Sequence, residues 1–209
     1  MIFELNPNDI HFPNPALAEP DGLLAIGGDL RPERLIAAYR RGIFPWYSDD
    51  TPILWYSPHE RFVLFPSELK ISKSMRQVLR STRFTVTYDQ AFAHVIASCA
   101  SQPRRGQDGT WITDDMRRAY IRLHDLGIAH AVEVWRDSKL VGGLYGVAVG
   151  QVFCGESMFS REANASKVAL VSLCQSGEYK LIDCQVYTEH LASMGARMIS
   201  REEYVALLS

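Results

Sequence analysis

The stretch AVEVWRDSKLVGGLYGVAVGQVFCGESMF, residues 131–159, decides the fold class. Short apolar runs rich in β-branched and aromatic residues alternate with turn formers, which is the pattern of strands rather than helices. AVEVWRD reads as one strand, Asp137–Ser138 as a turn, KLVGGLYGVAVG as a second strand and QVFCGESMF as a third. Strands joined by such short turns pair antiparallel. Outward from this meander the pattern alternates. Leu69–Thr82 reads as a helix with Ser72 as its cap, RFTVTYD (83–89) as a strand, and 89–100 and 113–127 as helices, the latter opening TDDM with acids in its first turn. Beyond the meander, a helix over 166–175 leads to the strand LIDCQVY (181–187), a further helix and a helical REEYVALL. Helices mixed with hairpins predict an α+β protein with a mixed, largely antiparallel sheet.

Residues 1–62 differ from the rest. Eight of the ten prolines fall there, at 7, 13, 15, 20, 32, 45, 52 and 58. Proline removes a donor and fixes φ, so long regular elements are disfavoured. One helix fits, from Pro32 through ERLIAAYRR to a stop at Gly42. The expectation is a small loop-rich domain over 1–62 and a larger domain over 63–209.

Composition narrows the function. With 47% hydrophobic and 22% charged residues the chain of 209 residues should pack a core. A net charge of −2 excludes a wholly basic nucleic-acid binder, though not a basic patch. The N-terminus does not read as a secretory signal, and no apolar run reaches membrane-spanning length, so a cytoplasmic protein is expected. Cys99, Cys154, Cys174 and Cys184 form no C-x-x-C pair and read as packing residues. No metal and no cofactor is expected: there is no G-x-x-x-x-G-K phosphate loop and no H-E-x-x-H. GGLYGVAVG is not a dinucleotide fingerprint, and its glycines point to close packing or to a ligand near the backbone. GESMF departs from a nucleophile elbow at Phe159.

Four constellations remain. In LIDCQVY, alternation puts Leu181, Asp183, Gln185 and Tyr187 on one face. An Asp–Gln pair inside an apolar strand either caps the next helix or serves function, and a buried carboxylate needs a partner. In QVFCGESMF, Glu156 shares a face with Cys154 and Met158, as a solvated rim residue or as a carboxylate that attracts a cation. Lys70, Lys73, Arg76 and Arg80, followed by Arg83, form a basic stripe that is either a solvated face or a phosphate-backbone contact. Aromatics gather at Trp46, Tyr47, Trp55, Tyr56 and Trp111, as core or as pocket walls.

With these residues in view, the sequence resembles the leucyl/phenylalanyl-tRNA–protein transferases, bacterial aminoacyltransferases of the N-degron pathway. The matching segments are FPNPALAEPDGLLAIGGDL (12–30), YRRGIFPWY (39–47), ILWYSPHER (53–61), GTWIT (109–113), GGLYGVAVGQVFCGESMFS (142–160), NASK (164–167) and LIDCQVYTEHLASMGA (181–196). The resemblance implies a C-terminal domain of the acyl-CoA N-acyltransferase type, similar to GNAT and Fem-type transferases. It implies transfer of Leu or Phe, with Met as a further donor, from tRNA to proteins beginning with Lys or Arg, marking them for degradation. A monomer without a membrane partner is expected. The family's catalytic Asp and Gln fall on Asp183 and Gln185, and its acceptor-facing acid on Glu156. Its aminoacyl-adenosine site falls on Trp46, Trp111, Leu144, Phe153, Met158 and Ile182, and its tRNA contacts on Lys70, Lys73, Arg76, Arg80 and Arg83.

An activated ester needs neither ATP nor metal for aminolysis, so holding ester and amine together supplies much of the rate. Asp183 is then expected to orient Gln185 and raise the electron density of its carbonyl, which accepts a hydrogen bond from the amine; Asp183 as general base also fits. Two other classes remain open. An acetyl-CoA-dependent acetyltransferase shares the fold type, but its Gln- or Arg-led pyrophosphate turn is missing. A non-catalytic tRNA-binding protein is the other.

Overall fold

Two β-sheets share one hydrophobic core in the computed structural model, which describes residues 2–102 and 112–208. The smaller sheet is built from β1 (Phe3–Leu5), β2 (Leu23–Gly27), β3 (Phe44–Pro45) and β4 (Leu54–Tyr56), in the order β1-β2-β4-β3. These strands run two to five residues, as the spacing of prolines requires. Helix α1 (Pro32–Tyr39) lies between β2 and β3 in the chain and ends before Gly42, whose φ of +71° favours glycine.

The larger sheet has seven strands in the order β11-β5-β10-β9-β8-β7-β6. They are β5 (Glu60–Leu64), β6 (Thr85–Tyr88), β7 (Ala129–Arg136), β8 (Lys139–Val149), β9 (Val152–Ser160), β10 (Leu181–Gln185) and β11 (Arg197–Ser200). Only β9 and β10 pair parallel; every other neighbour is antiparallel. This is the mixed, largely antiparallel sheet of an α+β protein. The small sheet gives way to the large one between Tyr56 and Glu60, and position 62 lies within β5.

Helices α2 (Lys73–Arg80), α3 (Phe92–Ala100), α4 (Asp114–Asp125), α5 (Ala165–Gln175), α6 (Glu189–Ser193) and α7 (Arg201–Leu207) are the other α-helices among the described residues. Ser72 caps α2 and Thr113 caps α4, each side-chain oxygen accepting an N–H three residues on at 3.2 Å. The helix expected from Leu69 starts only at Lys73, so Lys70 lies outside it, its N–H bonded instead to the Met194 carbonyl. Asp137 and Ser138 both take positive φ, the geometry of a two-residue hairpin whose twist matches its strands. Strands β5 and β11 had no alternating signature. All of Phe62, Val63 and Leu64 are buried, because β5 is covered on both faces.

Two apolar clusters lie on opposite faces of the large sheet. One contains Cys154, Phe159, Leu181 and the small sheet; the other contains Phe153, Ile182, Leu144 and α5. Cys99, Cys154 and Cys174 are buried and Cys184 is half-buried. The β8 glycines serve packing. A Cβ on Gly142 would sit 2.5 Å from that of Ala165, and one on Gly146 2.2 Å from the Cys154 carbonyl oxygen. Gly146→Ala should therefore destabilise the fold by about 2–3 kcal/mol, as overpacking does. Urea denaturation checks this, and a stability equal to that of the wild type would refute it.

Candidate active site

Strand β10 holds a carboxylate in its interior because β5 supplies a guanidinium. Asp183 is fully buried and Arg61 2% exposed. Arg61 Nη2 donates to Asp183 Oδ2 at 2.7 Å and Nε to both oxygens at 3.1 Å. Tyr204 on α7 donates its O–H to Oδ2 at 2.8 Å, and the Gln185 backbone N–H donates to Oδ1 at 2.9 Å. The guanidinium lies between the Phe44 and Tyr204 rings, 4.6 and 4.5 Å from their centroids, and donates to the Gly42 carbonyl. Burial works against the Arg61 charge, but Asp183 outweighs it and holds the guanidinium protonated. The Asp183 carboxylate thus touches the Gln185 backbone and not its side chain.

Two bulges shape the cleft beside this pair. In the β5–β10 ladder, Asp183 faces Val63 and Gln185 faces Phe62, leaving Cys184 as the extra residue. In the β8–β9 ladder, Gly155 faces Gly146 and Ser157 faces Tyr145, leaving Glu156 extra. Each extra residue reverses the alternation that follows it. Hence Met158 does not share a face with Cys154, as simple alternation required. It packs with Phe153 and Ile182, whereas Phe159 joins the Cys154 cluster. On β10 the regular strand ends at Gln185, which has φ +59°, and a Val186 N–H to Cys184 carbonyl bond of 2.7 Å closes a tight turn around it. Val186 and Tyr187 lie outside the strand and are exposed. The parallel ladder between β9 and β10 stops at Cys154 and Asp183, and a cavity of about 530 Å³ opens beyond it.

Trp46, Leu144, Phe153, Glu156, Met158, Ile182, Asp183 and Gln185 all border this cavity. Eight positions chosen from the sequence therefore meet at one place. Trp111 lies outside the described residues. Phe44, Leu170, Leu173 and Leu191 also line the wall and were not among the chosen positions. The basic residues lie elsewhere. Lys73, Arg76 and Arg80 are exposed on α2, whose Met75 is buried in the second cluster. Arg83 is committed to Glu162 at 3.0 Å.

Glu156 is 8% exposed and has no ion pair among the described residues. Its Oε1 accepts from Tyr39 O–H at 2.6 Å and from Gln185 Nε2 at 2.9 Å, and its Oε2 from Tyr120 O–H at 3.3 Å. Burial, helped by the negative charge of Asp183, pushes its carboxyl up to about 7 against the pull of these three donors. The sequence reading missed Arg61, Tyr39, Tyr120 and Tyr204. Arg61 was accessible by asking which cation could partner a buried Asp183, since it opens the run FVLF and lies in a matching segment. Tyr39 likewise opens a matching segment, though nothing in it pointed to Glu156, and Tyr120 and Tyr204 carried no sequence signal.

Fold and site together fit a group-transfer enzyme in which an apolar chamber meets two carboxylates, Glu156 and Asp183, and one amide, Gln185. The family profile described as "Leucyl/phenylalanyl-tRNA protein transferase" matches residues 63–209, and that of its N-terminal domain matches residues 28–59. The leucyl/phenylalanyl-tRNA–protein transferase of Syntrophus aciditrophicus is 60% identical over 95% of this chain and 84% of its own length. That of Syntrophobacter fumaroxidans is 59% identical over 100% of this chain and 90% of its own length. The chain belongs to the leucyl/phenylalanyl-tRNA–protein transferase family. Among solved structures it is distantly similar to FemX, with a TM-score of 0.49 and 9% identity over 85% of this chain and 71% of the other.

The raised carboxyl of Glu156 has a consequence for stability. Between the ordinary carboxylate value and about 7 the native state holds a proton that the unfolded chain has lost, so stability falls as pH rises through that window. Glu156→Gln removes the effect. Relative to wild type, the variant should gain roughly 3 kcal/mol between pH 4 and pH 8. Urea denaturation at both pH values checks it; equal differences at the two would refute the assignment.

Proposed function

We propose that this aminoacyltransferase moves Leu or Phe from tRNA to the α-amino group of a protein beginning with Lys or Arg. The observation that carries this reading is the cavity, whose apolar wall ends at a carboxylate without a cationic partner among the described residues and at an amide. Leu144, Phe153, Met158 and Ile182 would take the aminoacyl side chain, and Trp46 the terminal adenosine. Such a pocket discriminates by shape and therefore modestly between apolar side chains. Glu156 would attract the cationic acceptor, whose charge favours its ionised form.

The amine nitrogen attacks the ester carbonyl carbon. A C–N bond forms, the C–O bond to the terminal ribose breaks, and the proton released by nitrogen ends on the ribose oxygen. Gln185 gives its N–H to Glu156, so its carbonyl oxygen remains to accept a hydrogen bond from the amine. Asp183 acts as a positioning residue. Its carboxylate is occupied by Arg61, Tyr204 and the Gln185 backbone, which favours this role over that of general base. The division into a 1–62 domain and a 63–209 domain belongs to this reading, as do a cytoplasmic location and a monomeric state. No helix among the described residues is long and apolar enough to cross a membrane.

Incubation with labelled Phe-tRNA and peptides beginning with Arg or Gly tests the reaction. Label should enter the Arg peptide, and Gln185→Ala should lower kcat about 100-fold. Transfer from acetyl-CoA but not from Phe-tRNA would overturn the reading in favour of an acetyltransferase. The α2 stripe is proposed to meet the tRNA backbone. Reversing charge at Lys73 and Arg76 should flatten the salt dependence of tRNA binding by about 1.5 in log–log slope; an unchanged slope makes α2 a solvated face.

A further inference from the structure

The hydrogen bonds at Glu156 extend past anything the transfer step requires. Tyr39 ends α1, Tyr120 lies on α4, Glu156 is the bulged residue of β9 and Gln185 ends β10, so four elements converge on one carboxylate. The two phenols are 1% and 0% exposed and their oxygens also approach each other; with one proton apiece, Tyr39 donates to Glu156 and Tyr120 shares its proton between Glu156 and the Tyr39 oxygen. Neither phenol borders the cavity. Burial, and then the charge of Glu156, hold both well above the ordinary phenol value, so they act as donors and not as bases.

We propose that Tyr39 and Tyr120 are positioning residues that clamp ionised Glu156, and that Glu156 in turn sets which end of the Gln185 amide faces the incoming amine. This rests on the aminoacyl-transfer reading. A carboxylate can only accept, so it selects the NH₂ end of Gln185 and leaves the carbonyl oxygen toward the amine. A protonated Glu156 can donate instead, and then the carbonyl end of the amide is equally welcome beside it. The amide's direction therefore follows the ionisation of Glu156. The phenols favour the ionised form by donating to it, and the buried phenol pair makes a connected network in a medium of low dielectric constant. The titratable groups facing Glu156 are Tyr39 from α1, Tyr120 from α4, Asp183 from β10 and Cys154 from its own strand. Asp183 acts against ionisation, and its pairing with Arg61 supplies the opposing charge. Tyr39 belongs to a segment before Gly42, so the N-terminal part of the chain completes the site.

The test titrates the Glu156 carboxyl by carbon NMR on protein labelled at glutamate side-chain carboxyls, with the signal assigned by its loss in Glu156→Gln. Wild type, Tyr39→Phe and Tyr120→Phe are compared, and kcat for Phe transfer to an Arg peptide is recorded against pH. Losing a donor to the ionised form should raise the midpoint, by about one unit in Tyr39→Phe and by less in Tyr120→Phe, whose bond is longer. The acid limb of kcat should move alkaline by the same amount, with KM for Phe-tRNA unchanged. Midpoints that stay put in both variants overturn the clamp. A midpoint that moves while the acid limb does not overturns the link to Gln185. Wild type that transfers nothing from Phe-tRNA sinks the transfer reading and this link, while the NMR midpoints still decide the clamp. If Tyr39→Phe fails to fold, Tyr120→Phe decides alone.

Discussion

A buried guanidinium, stacked between two aromatic rings and bonded to a buried carboxylate, organises this molecule. Arg61 and Asp183 bring together β5, β10, the Gly42–Phe44 segment of the small sheet and α7. Removing two charges from water costs several kcal/mol per ion, and their attraction does little more than offset it. Breaking the pair is different, because a lone buried charge costs about 3–5 kcal/mol. The consequence is geometric: the sheets and the C-terminal helix must assemble around one arrangement of donors. Asp183 also bonds the Gln185 N–H, so the ion pair anchors the residue where β10 leaves the sheet.

The cleft follows from that departure. Parallel neighbours β9 and β10 stay together only as far as Cys154 and Asp183, and each then carries a bulge. One bulge presents Glu156 and the other leads into Gln185 with its positive φ. Backbone strain of this kind persists only where the surroundings over-determine it. Here the determinants are the ion pair on one side and the tyrosine–glutamate cluster on the other. Their two carboxylates have separate tasks, and their environments separate them. Asp183 faces a cation, whereas Glu156 accepts hydrogen bonds from neutral donors and is pushed up to about 7 by burial and the nearby Asp183 charge.

Much of this was legible in the sequence. Alternation and turn chemistry located the β6–β9 strands and the hairpin at Asp137–Ser138, while capping residues located α2 and α4, because these signals are local. Asp183 and Gln185 stood out as polar residues in an apolar strand. Alternation failed at two places for one reason. A bulge adds a residue without a sequence mark, so the face assigned to Met158 came out reversed, and Tyr187 fell outside the strand. The short strands of the small sheet, and β5 and β11, lacked a period long enough to read.

By itself the sequence determined the fold class, the polar residues worth explaining and, through long matching segments, the family. Only the tertiary structure decided what each polar residue touches. Arg61 lies 122 positions from Asp183 and Tyr39 lies 117 from Glu156. Contacts over such distances are set by how sheets and helices pack, and no periodicity within a strand encodes them. That is why the expected Asp183–Gln185 side-chain pair became two separate contacts, the Gln185 backbone on Asp183 and its amide on Glu156.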